Sequence, residues 1–543
     1  MIKYTRYPSD MLKKEEIISL YEKIEQNDYD LKTEAIAYCK NDCFVLHKII
    51  EYFQAETVAL YKIKDKRHVF DIIPNLTTPQ MSLNVFRKMF QDSKFNLTVP
   101  TNTKEIEYIR GSYRGALCEV YVPETPKGYL TMEFDYVSKY AEVMSTQAFP
   151  TGEGKYVKDL FFDNGKIYFF DEDKKCYCEF FGFANSIVEV PKSLNTPYLY
   201  LHTANRGNVA PTGTFSSLWP STDILYANSI GTKILKIKDG FHYDKTFGIY
   251  EDYVNFHFPL RLANKNNPKG KMTKLMLNSL YGKTGQKLFN RISMSVTEKQ
   301  FYIVSQIMEN VKIHVELPEI KMYYVSFDKS VNLKNITNII KDEDFSKLII
   351  NTYNKFAKME QQWRNNSLPH IAAFITAYAR QDIHRLGMQI KYGTWHAADT
   401  DAVHVSFNME DPNQKAEFEY FKSLCGENIG QLKHEGTFYH VKFFAPKVYA
   451  RYDEEGRLLP ELSRFKGVEA KYRELLFNNM TSEGVSIEYE QIIKRDMKHL
   501  SHNVKKVTQK FTFDWNKRIL TEGGKNSRPL HYPDDFLPEE RIF

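Results

Sequence analysis

The chain has few cysteines and no long apolar run, and both shortages limit what it can be. Its six cysteines are too few and too scattered in 543 residues for a disulfide framework, which predicts an intracellular, reducing environment. Cys176 and Cys178 have no second pair nearby, and Cys39, Cys43 and His47 lack a fourth ligand, so zinc is not favoured. No stretch approaches the roughly 20 apolar residues that span a bilayer, and the first ten residues form no apolar signal, so no membrane partner is expected.

The excess of basic residues is also small. Lysine and arginine number 74 against 68 aspartates and glutamates, a formal net charge of +6. This charge permits a polyanionic partner but does not identify one. The chain is too long for a single core, so several subdomains are expected. An aromatic content of 14%, with abundant Lys, Asn and Ile, indicates an AT-rich gene.

Apolar periodicity predicts both helices and strands, hence an α+β protein. Ala35 to Phe53 is predicted to be a helix that buries Ile36, Val45, Ile49 and Ile50. Short β-branched and aromatic runs between turn residues predict strands. These runs are Cys118 to Val122, Tyr129 to Phe134, Phe162 to Phe183, Ile303 to Ile313, Met322 to Phe327 and the hairpin Tyr392 to Phe407. A segment rich in Pro, Gly, Thr and Ser is interpreted as a surface insertion, Pro191 to Pro220.

One predicted helix carries an unusual polar stripe. Lys274, Asn278 and Tyr281 follow one another at i, i+4 and i+7, which places an ammonium, an amide and a phenol on one face. The ammonium can hold a triphosphate as a point charge, and the ring offers a flat surface to a base or sugar. An ordinary amphipathic surface helix would show the same periodicity.

Two further segments supply carboxylates. Asp399 and Asp401 lie two residues apart in the predicted hairpin, where like charges so close favour a cation between them, and Mg²⁺ prefers oxygen ligands. Asp135 ends the strand Tyr129 to Phe134, with Tyr140 shortly after. An exposed turn and a helix N-cap are the ordinary alternatives. Together, carboxylates from separate strands, a cation and an aromatic wall are what two-metal phosphoryl transfer needs.

These residues resemble the protein-primed family B DNA polymerases of bacteriophages and linear plasmids. The family's motif B, Lys-x-x-x-Asn-Ser-x-Tyr-Gly, is matched completely by residues 274–282. Motif A, Asp-x-x-Ser-Leu-Tyr-Pro, and motif C, Tyr-x-Asp-Thr-Asp-Ser, are matched in part, at Asp135, Ser138, Tyr140, Asp399, Thr400 and Asp401. The resemblance implies a right-hand polymerase fold with palm, fingers and thumb.

Other segments are similar to the same family. Tyr113 and Gly115 match a Tyr-x-Gly segment that holds template, Phe374 to Arg380 resembles the helix ahead of motif C, and Lys447 and Tyr449 match a Lys-x-Tyr motif near the primer terminus. Tyr38 and Asp42 resemble exonuclease motif III. The acidic motifs expected before Tyr38 are missing, so we expect an incomplete exonuclease remnant and no proofreading by this chain alone.

The chain also departs from the family pattern. Lys139 and Ala141 replace the usual Leu and Pro of motif A, and Ala397 and Ala402 replace Tyr and Ser of motif C. Neither pair of changes removes a metal ligand. We expect Lys139 on the solvent side of the strand end and looser primer positioning at motif C.

The resemblance implies five regions. They are residues 1–110, exonuclease remnant and linker; 111–255, palm with motif A and a first insertion at about 191–228; 256–295, fingers; 296–454, second insertion and palm with motif C; and 455–543, thumb.

It also implies residue roles and partners. Asp135 and Asp401 would bind two Mg²⁺ ions, with Asp399 as an auxiliary acid. Lys274, Asn278, Tyr281 and Tyr140 would bind the deoxynucleotide, and Tyr113, Gly115, Lys447 and Tyr449 would contact primer-template DNA. A terminal priming protein, a linear plasmid and a mitochondrial location are further expectations. Two alternatives remain, a decayed polymerase relic that binds DNA without turnover and a palm enzyme that copies RNA.

Overall fold

Two compact units make up the chain. One contains Met1–Met89 and Ser486–Lys510, and the other contains Phe90–Val485 and Phe511–Phe543. The structure, a computed structural model, describes residues 31–62, 77–287, 291–308, 310–317, 321–328, 340, 343–351, 354, 367–468, 470–480, 484–496, 501–511, 515–538, 540 and 542.

Helices occur in both units. A short π-helix, Phe86–Phe90, directly follows the α-helix that ends at Val85. Residues 343–351 are also helical. The α-helices are α1 Leu31–Lys62, α2 Thr78–Val85, α3 Thr103–Ser112, α4 Lys139–Thr146, α5 Ser221–Ser229, α6 Glu251–Ala263, α7 Pro268–Thr284, α8 Glu298–Ile307, α9 Pro369–Met388, α10 Pro412–Ser423 and α11 Ala470–Asn478.

The strands form two five-stranded sheets and several smaller ones. They are β1 Leu117–Val120, β2 Leu130–Tyr136, β3 Phe149–Lys158, β4 Phe161–Asp163, β5 Lys166–Asp171, β6 Cys176–Glu179, β7 Gly182–Val190, β8 Leu201–Thr203, β9 Gly207–Val209, β10 Thr212–Pro220, β11 Lys233–Thr246, β12 Arg291–Thr297, β13 Lys312–Leu317, β14 Met322–Asp328, β15 Thr394–Thr400, β16 Ala402–Phe407, β17 Leu432–Phe438, β18 His440–Ala445, β19 Val448–Tyr452, β20 Arg464–Phe465, β21 Val485–Asp496, β22 Ser501–Phe511, β23 Arg518–Thr521, β24 Asn526–Pro529 and β25 His531–Tyr532.

The central sheet is antiparallel, in the order β1-β15-β16-β2-β17. Met132 and Phe134 of β2 are fully buried in an apolar cluster that includes Ile383 of α9. Successive side chains of a strand point to opposite faces. The residues between and after them, Glu133 and Asp135, therefore lie on the other face of the sheet.

The second five-stranded sheet has the order β25-β10-β7-β11-β3. The interpretation of Pro191 to Pro220 as a surface insertion is wrong. The segment forms β8, β9 and β10, of which β10 belongs to this sheet, and it buries Leu201 and Trp219 in the core. Gly213 has φ +106, and a Cβ there would lie 2.2 Å from the Tyr532 carbonyl oxygen. The composition of this segment indicates a loop, but here the glycine allows two strands to pack closely.

Two further sequence predictions are wrong. Ile303 to Ile313 is predicted to be a strand, but residues 303–307 belong to α8, which begins at a capping box formed by Thr297 and Gln300, and only residues 312 and 313 lie in a strand, β13. On α1, the side chains expected to be buried are 38 to 55% exposed, namely Ile36, Val45, Ile49 and Ile50. Periodicity shows which side chains share a helix face, not what covers that face.

Other predicted strands are confirmed, among them β1, β2, β14 and the β15–β16 hairpin. Asn164 and Gly165 make the β4–β5 turn with φ 47 and 78. The six cysteines are free thiols. In the part of the chain that the structure describes, no helix has both the length and the apolar content of a membrane span.

Candidate active site

Strand pairing brings the aspartates of motifs A and C together. Asp135 lies near the end of β2, directly opposite Ala402 of β16. Asp401 occupies the turn before Ala402, and its carbonyl oxygen accepts a 2.9 Å hydrogen bond from the Tyr136 backbone N–H. Residues 266 positions apart in the chain thus become neighbours through one antiparallel register.

Burial disfavours negative charge at this pair. Burial, and then the charge of Asp401, raise the pKa of Asp135 well above its usual range. Burial and the charge of Asp399 raise the pKa of Asp401, which Lys447 and Lys274 oppose. Oδ1 of Asp135 is buried without a hydrogen-bond partner. A divalent cation would satisfy this oxygen and compensate both charges, so the donor set fits such an ion.

Asp399 has a different environment. Its Oδ1 lies 3.1 Å from the Lys447 ammonium, which also donates to the Thr400 hydroxyl at 2.7 Å. Thr400, with φ 68, makes the turn that separates Asp399 from Asp401. Asp399 is therefore paired with a lysine. Among the described residues, no group of three or more His, Cys, Asp or Glu is arranged to hold a metal.

The predicted nucleotide stripe lies on α7. The helix begins after Asn267, whose side chain accepts from the Gly270 N–H, and it buries Met272, Met276, Leu277 and Leu280. Its polar stripe lies on the more open side, where Lys274 and Asn278 are exposed and Tyr281 is half-buried. The charge of Lys274 lowers the pKa of Asp401, which places the stripe within electrostatic reach of motif C.

The motif A and motif B tyrosines meet directly. The rings of Tyr140 and Tyr281 stack with centroids 4.3 Å apart and planes 15° from parallel. Burial and the hydrogen bond between the two hydroxyls raise the pKa of Tyr140. Tyr113 lies close by, since burial and Tyr281 raise its pKa to about 12. Two predicted site residues thus stack on each other, and a third, Tyr113, lies within electrostatic reach of the pair.

The remaining predicted site residues lie in varied settings. A Cβ on Gly115 would have nothing within 4 Å, so its backbone is open to a ligand. Tyr449, expected near the primer terminus, is only 5% exposed and packs against His404. Tyr38 and Asp42 are exposed on α1, in the other compact unit.

One site prediction is corrected. Lys139, expected on the solvent side, is 4% exposed and lies between Glu142 and Asp382. The chain turns from β2 into α4 immediately before it, with Ser138 at φ 55, so strand alternation does not continue to this residue.

Sequence reasoning also gave no role to Arg380. This buried side chain pairs with Asp223 at 2.6 Å and donates to the carbonyls of Arg114 and Gly115 at 2.7 and 2.8 Å. These hydrogen bonds hold the backbone of the Tyr-x-Gly segment in place. Its spacing from the buried Ala373 and Ala377, at i−7 and i−3, was an available signal.

The chain is similar in sequence to several curated proteins. A "Probable DNA polymerase" of Neurospora intermedia is 27% identical over 460 residues, covering 83% of this chain and 41% of the relative. One of Agaricus bitorquis is 23% identical, covering 78% and 49%. The chain spans between about a third and a half of the lengths of the curated relatives it matches.

Solved structures show the fold. Phi29 DNA polymerase matches with a TM-score of 0.55 at 15% identity, over 83% of this chain and 69% of that one. Its ternary complex with primer-template DNA and incoming nucleotide matches with a TM-score of 0.54 at 16% identity, over 81% and 68%. The predicted right-hand polymerase fold is confirmed, while the bounds of palm, fingers and thumb remain predictions.

The sequence also matches a family model. The model is described as DNA polymerase type B, organellar and viral, and it matches residues 1–390. That match covers well over half of the chain. The chain therefore belongs to the organellar and viral type B DNA polymerases.

Proposed function

We propose that the protein is a DNA-directed DNA polymerase that adds deoxynucleotides to a primer 3′-hydroxyl with two Mg²⁺ ions. The observation that carries the proposal is the convergence of Asp135 and Asp401 beside α7. Their raised pKa values, and the unsatisfied Oδ1 of Asp135, support a cation between them. Bound Mg²⁺ would lower the pKa of the primer hydroxyl and neutralise charge on the triphosphate.

The chain's own residues then bind and orient the substrates. Lys274 holds the triphosphate by charge, while Asn278 and Tyr281 shape the pocket around the new base pair. Tyr140 lies against the sugar, where a 2′-hydroxyl would meet its ring. Its stack on Tyr281 and its burial support this role, because a fixed ring can exclude an atom by shape.

Template and primer lie on either side of these groups. Tyr113 and the open backbone at Gly115 would contact template, since Tyr113 lies beside Tyr281. Lys447 and Tyr449 would hold the primer strand, and the contact of Lys447 with Asp399 supports a position next to motif C. These residues would contact phosphates and sugars, without reading sequence.

The priming partner and the replicon are part of the proposal. A terminal protein with a Ser, Thr or Tyr hydroxyl would start synthesis on an AT-rich linear plasmid in mitochondria. Motif resemblance and amino-acid bias support this. Transfer of labelled deoxynucleotide to a protein hydroxyl, and protease-protected protein in a mitochondrial fraction, are the corresponding measurements.

Primer extension by the purified chain tests the central proposal. We expect Mg²⁺-dependent incorporation of dNTPs on a primed DNA template. Asp135→Ala or Asp401→Ala should lower the rate by at least about 10²- to 10³-fold, because a preorganised electrostatic group is lost. The matched control is Asp173→Ala, a change to an exposed aspartate that pairs with Lys155.

The outcomes separate the alternatives. A folded chain that binds primed DNA but does not extend it would be the decayed relic. Extension on RNA templates alone would indicate the RNA-copying enzyme. Near-parent rates in either aspartate variant would refute the site assignment.

A further inference from the structure

Lys139 is a buried lysine at the start of α4, between Asp135 and Tyr140 in the sequence. Its ammonium lies 2.7 Å from Oε2 of Glu142 and 2.5 Å from Oδ2 of Asp382. It also lies 4.4 Å from the centre of the Tyr136 ring. An ammonium this deeply buried is strongly disfavoured without such partners. The two carboxylates and the ring therefore determine where the Lys139 side chain lies.

The two acids belong to different helices. Glu142 is three residues further along α4, whereas Asp382 lies on α9, where it also pairs with Arg385 at 2.7 Å. The four side chains carry two positive and two negative charges. Lys139 thus ties the first turn of α4 to α9 in a charge-balanced cluster.

The backbone at this point needs such a restraint. Ser138 has φ 55, the left-handed region that is costly for a residue other than glycine. Tyr140 follows two residues later, and its ring meets Tyr281 of α7. Movement of the first turn of α4 would carry the Tyr140 ring away from this stack.

We propose that Lys139 is a positioning residue for sugar selection. By tying α4 to α9 through Glu142 and Asp382, it fixes the Tyr140 ring where the nucleotide sugar binds. This inference rests on the proposed polymerase function, since selection is measured during nucleotide incorporation. A lysine in this motif A position therefore has a defined task in this chain.

The test compares Lys139→Met with the parent enzyme, using the ratio of kcat/KM for a dNTP to that for the matching rNTP. This ratio does not depend on the fraction of folded enzyme. Without the ammonium, Glu142 loses its link to Asp382, which still pairs with Arg385, so α4 should shift. Because a misplacement of about 1 Å can cost about 100-fold, we expect selectivity to fall between about 10- and 100-fold.

Two further variants sharpen the result. Asp382→Ala removes the carboxylate of α9 while keeping Lys139, and it should lower the selectivity in the same direction, because the link between α4 and α9 is lost. The control Lys415→Met changes an exposed lysine on α10 and should keep the parent ratio. These comparisons separate loss of the link between the two helices from a general loss of lysine.

A Lys139→Met ratio within twofold of the parent would overturn the proposal. So would an Asp382→Ala variant that keeps the parent ratio, since the link between α4 and α9 would then have no effect on the ring. Failure of the proposed function is distinguishable, because the parent itself would then extend no primer.

Discussion

At the residue scale, Asp135 and Asp401 are acids whose charged forms the fold disfavours. Their pKa values are raised, so the native state binds more protons than the unfolded state, where the ordinary value is 3.8. Without divalent cations, the free energy of unfolding should therefore fall as pH rises from about 4 towards neutrality. A tenfold change in the acid dissociation constant of one carboxyl group corresponds to about 1.4 kcal/mol.

Mg²⁺ should reverse this loss. At pH 8, Mg²⁺ at about 100 times its Kd should add about 2.7 kcal/mol to the free energy of unfolding, measured by denaturant titration. Asp135→Asn should be more stable than the parent without Mg²⁺ and should gain much less from the ion. An equal gain in parent and variant would place the bound ion elsewhere.

Tyr140 should decide between deoxy- and ribonucleotides. Tyr140→Val removes the ring that is proposed to block a 2′-hydroxyl, so we expect relative rNTP incorporation to rise by at least about tenfold. The measurement is kcat/KM for each nucleotide on the same primed template. Unchanged selectivity would remove Tyr140 from this role.

At the element scale, the base of α7 is held by an arginine of α3. Arg110 donates to the carbonyl oxygens of Gly285 and Gln286 at 2.6 and 2.9 Å, just past the end of α7. A guanidinium suits a helix C-terminus, where the carbonyls carry partial negative charge. This contact orients the helix that carries Lys274.

Arg110→Met should therefore loosen α7. We expect the KM for dNTPs to rise by roughly tenfold with little change in DNA affinity, since about 1.5 to 3 kcal/mol of charged hydrogen bonding is removed. Steady-state kinetics and a DNA-binding titration measure the two effects. Gly285→Ala should act in the same direction, because its Cβ would lie 2.4 Å from the Tyr113 hydroxyl.

Arg457→Met, at an exposed arginine that pairs with Asp453, is the control. A KM within twofold of the parent in both Arg110→Met and Gly285→Ala would show that α7 does not depend on this anchor.

Sequence predicted elements best where local pattern and packing agree. The i, i+4, i+7 spacing of Lys274, Asn278 and Tyr281 placed them on one helix face, and alternation predicted β2 and the β15–β16 hairpin. Lys139 could not be predicted, because its environment depends on Asp382, 243 positions away. The prediction of a surface insertion at β10 is wrong because Gly213 allows a close contact with β25, which composition does not reveal.

At the scale of the whole molecule, the net charge is small, but basic residues are concentrated in one part of the sequence. Six basic residues lie between positions 494 and 510, namely Lys494, Arg495, Lys498, Lys505, Lys506 and Lys510, of which Lys498 lies outside the described residues. Such groups bind duplex phosphates without reading sequence. DNA affinity should therefore fall steeply with salt.

The slope of log K against log salt measures this contribution. Replacing Lys505 and Lys506 by Ala should reduce its magnitude by about 1.8, or about 0.9 for each phosphate that the variant no longer neutralises. Lys415→Ala should leave the slope unchanged. A salt-insensitive complex in the parent would contradict the electrostatic account.

The pairing of Tyr140 with Tyr281 has one more consequence. At 4.3 Å the two rings touch, so no third planar group can slide between them. If the proposed function holds, an arriving nucleotide would have to pass along their shared edge or turn one ring aside. The two segments that contribute these rings, 141 positions apart, would then select the substrate together, and a change to either aromatic would alter the opening that the other defines.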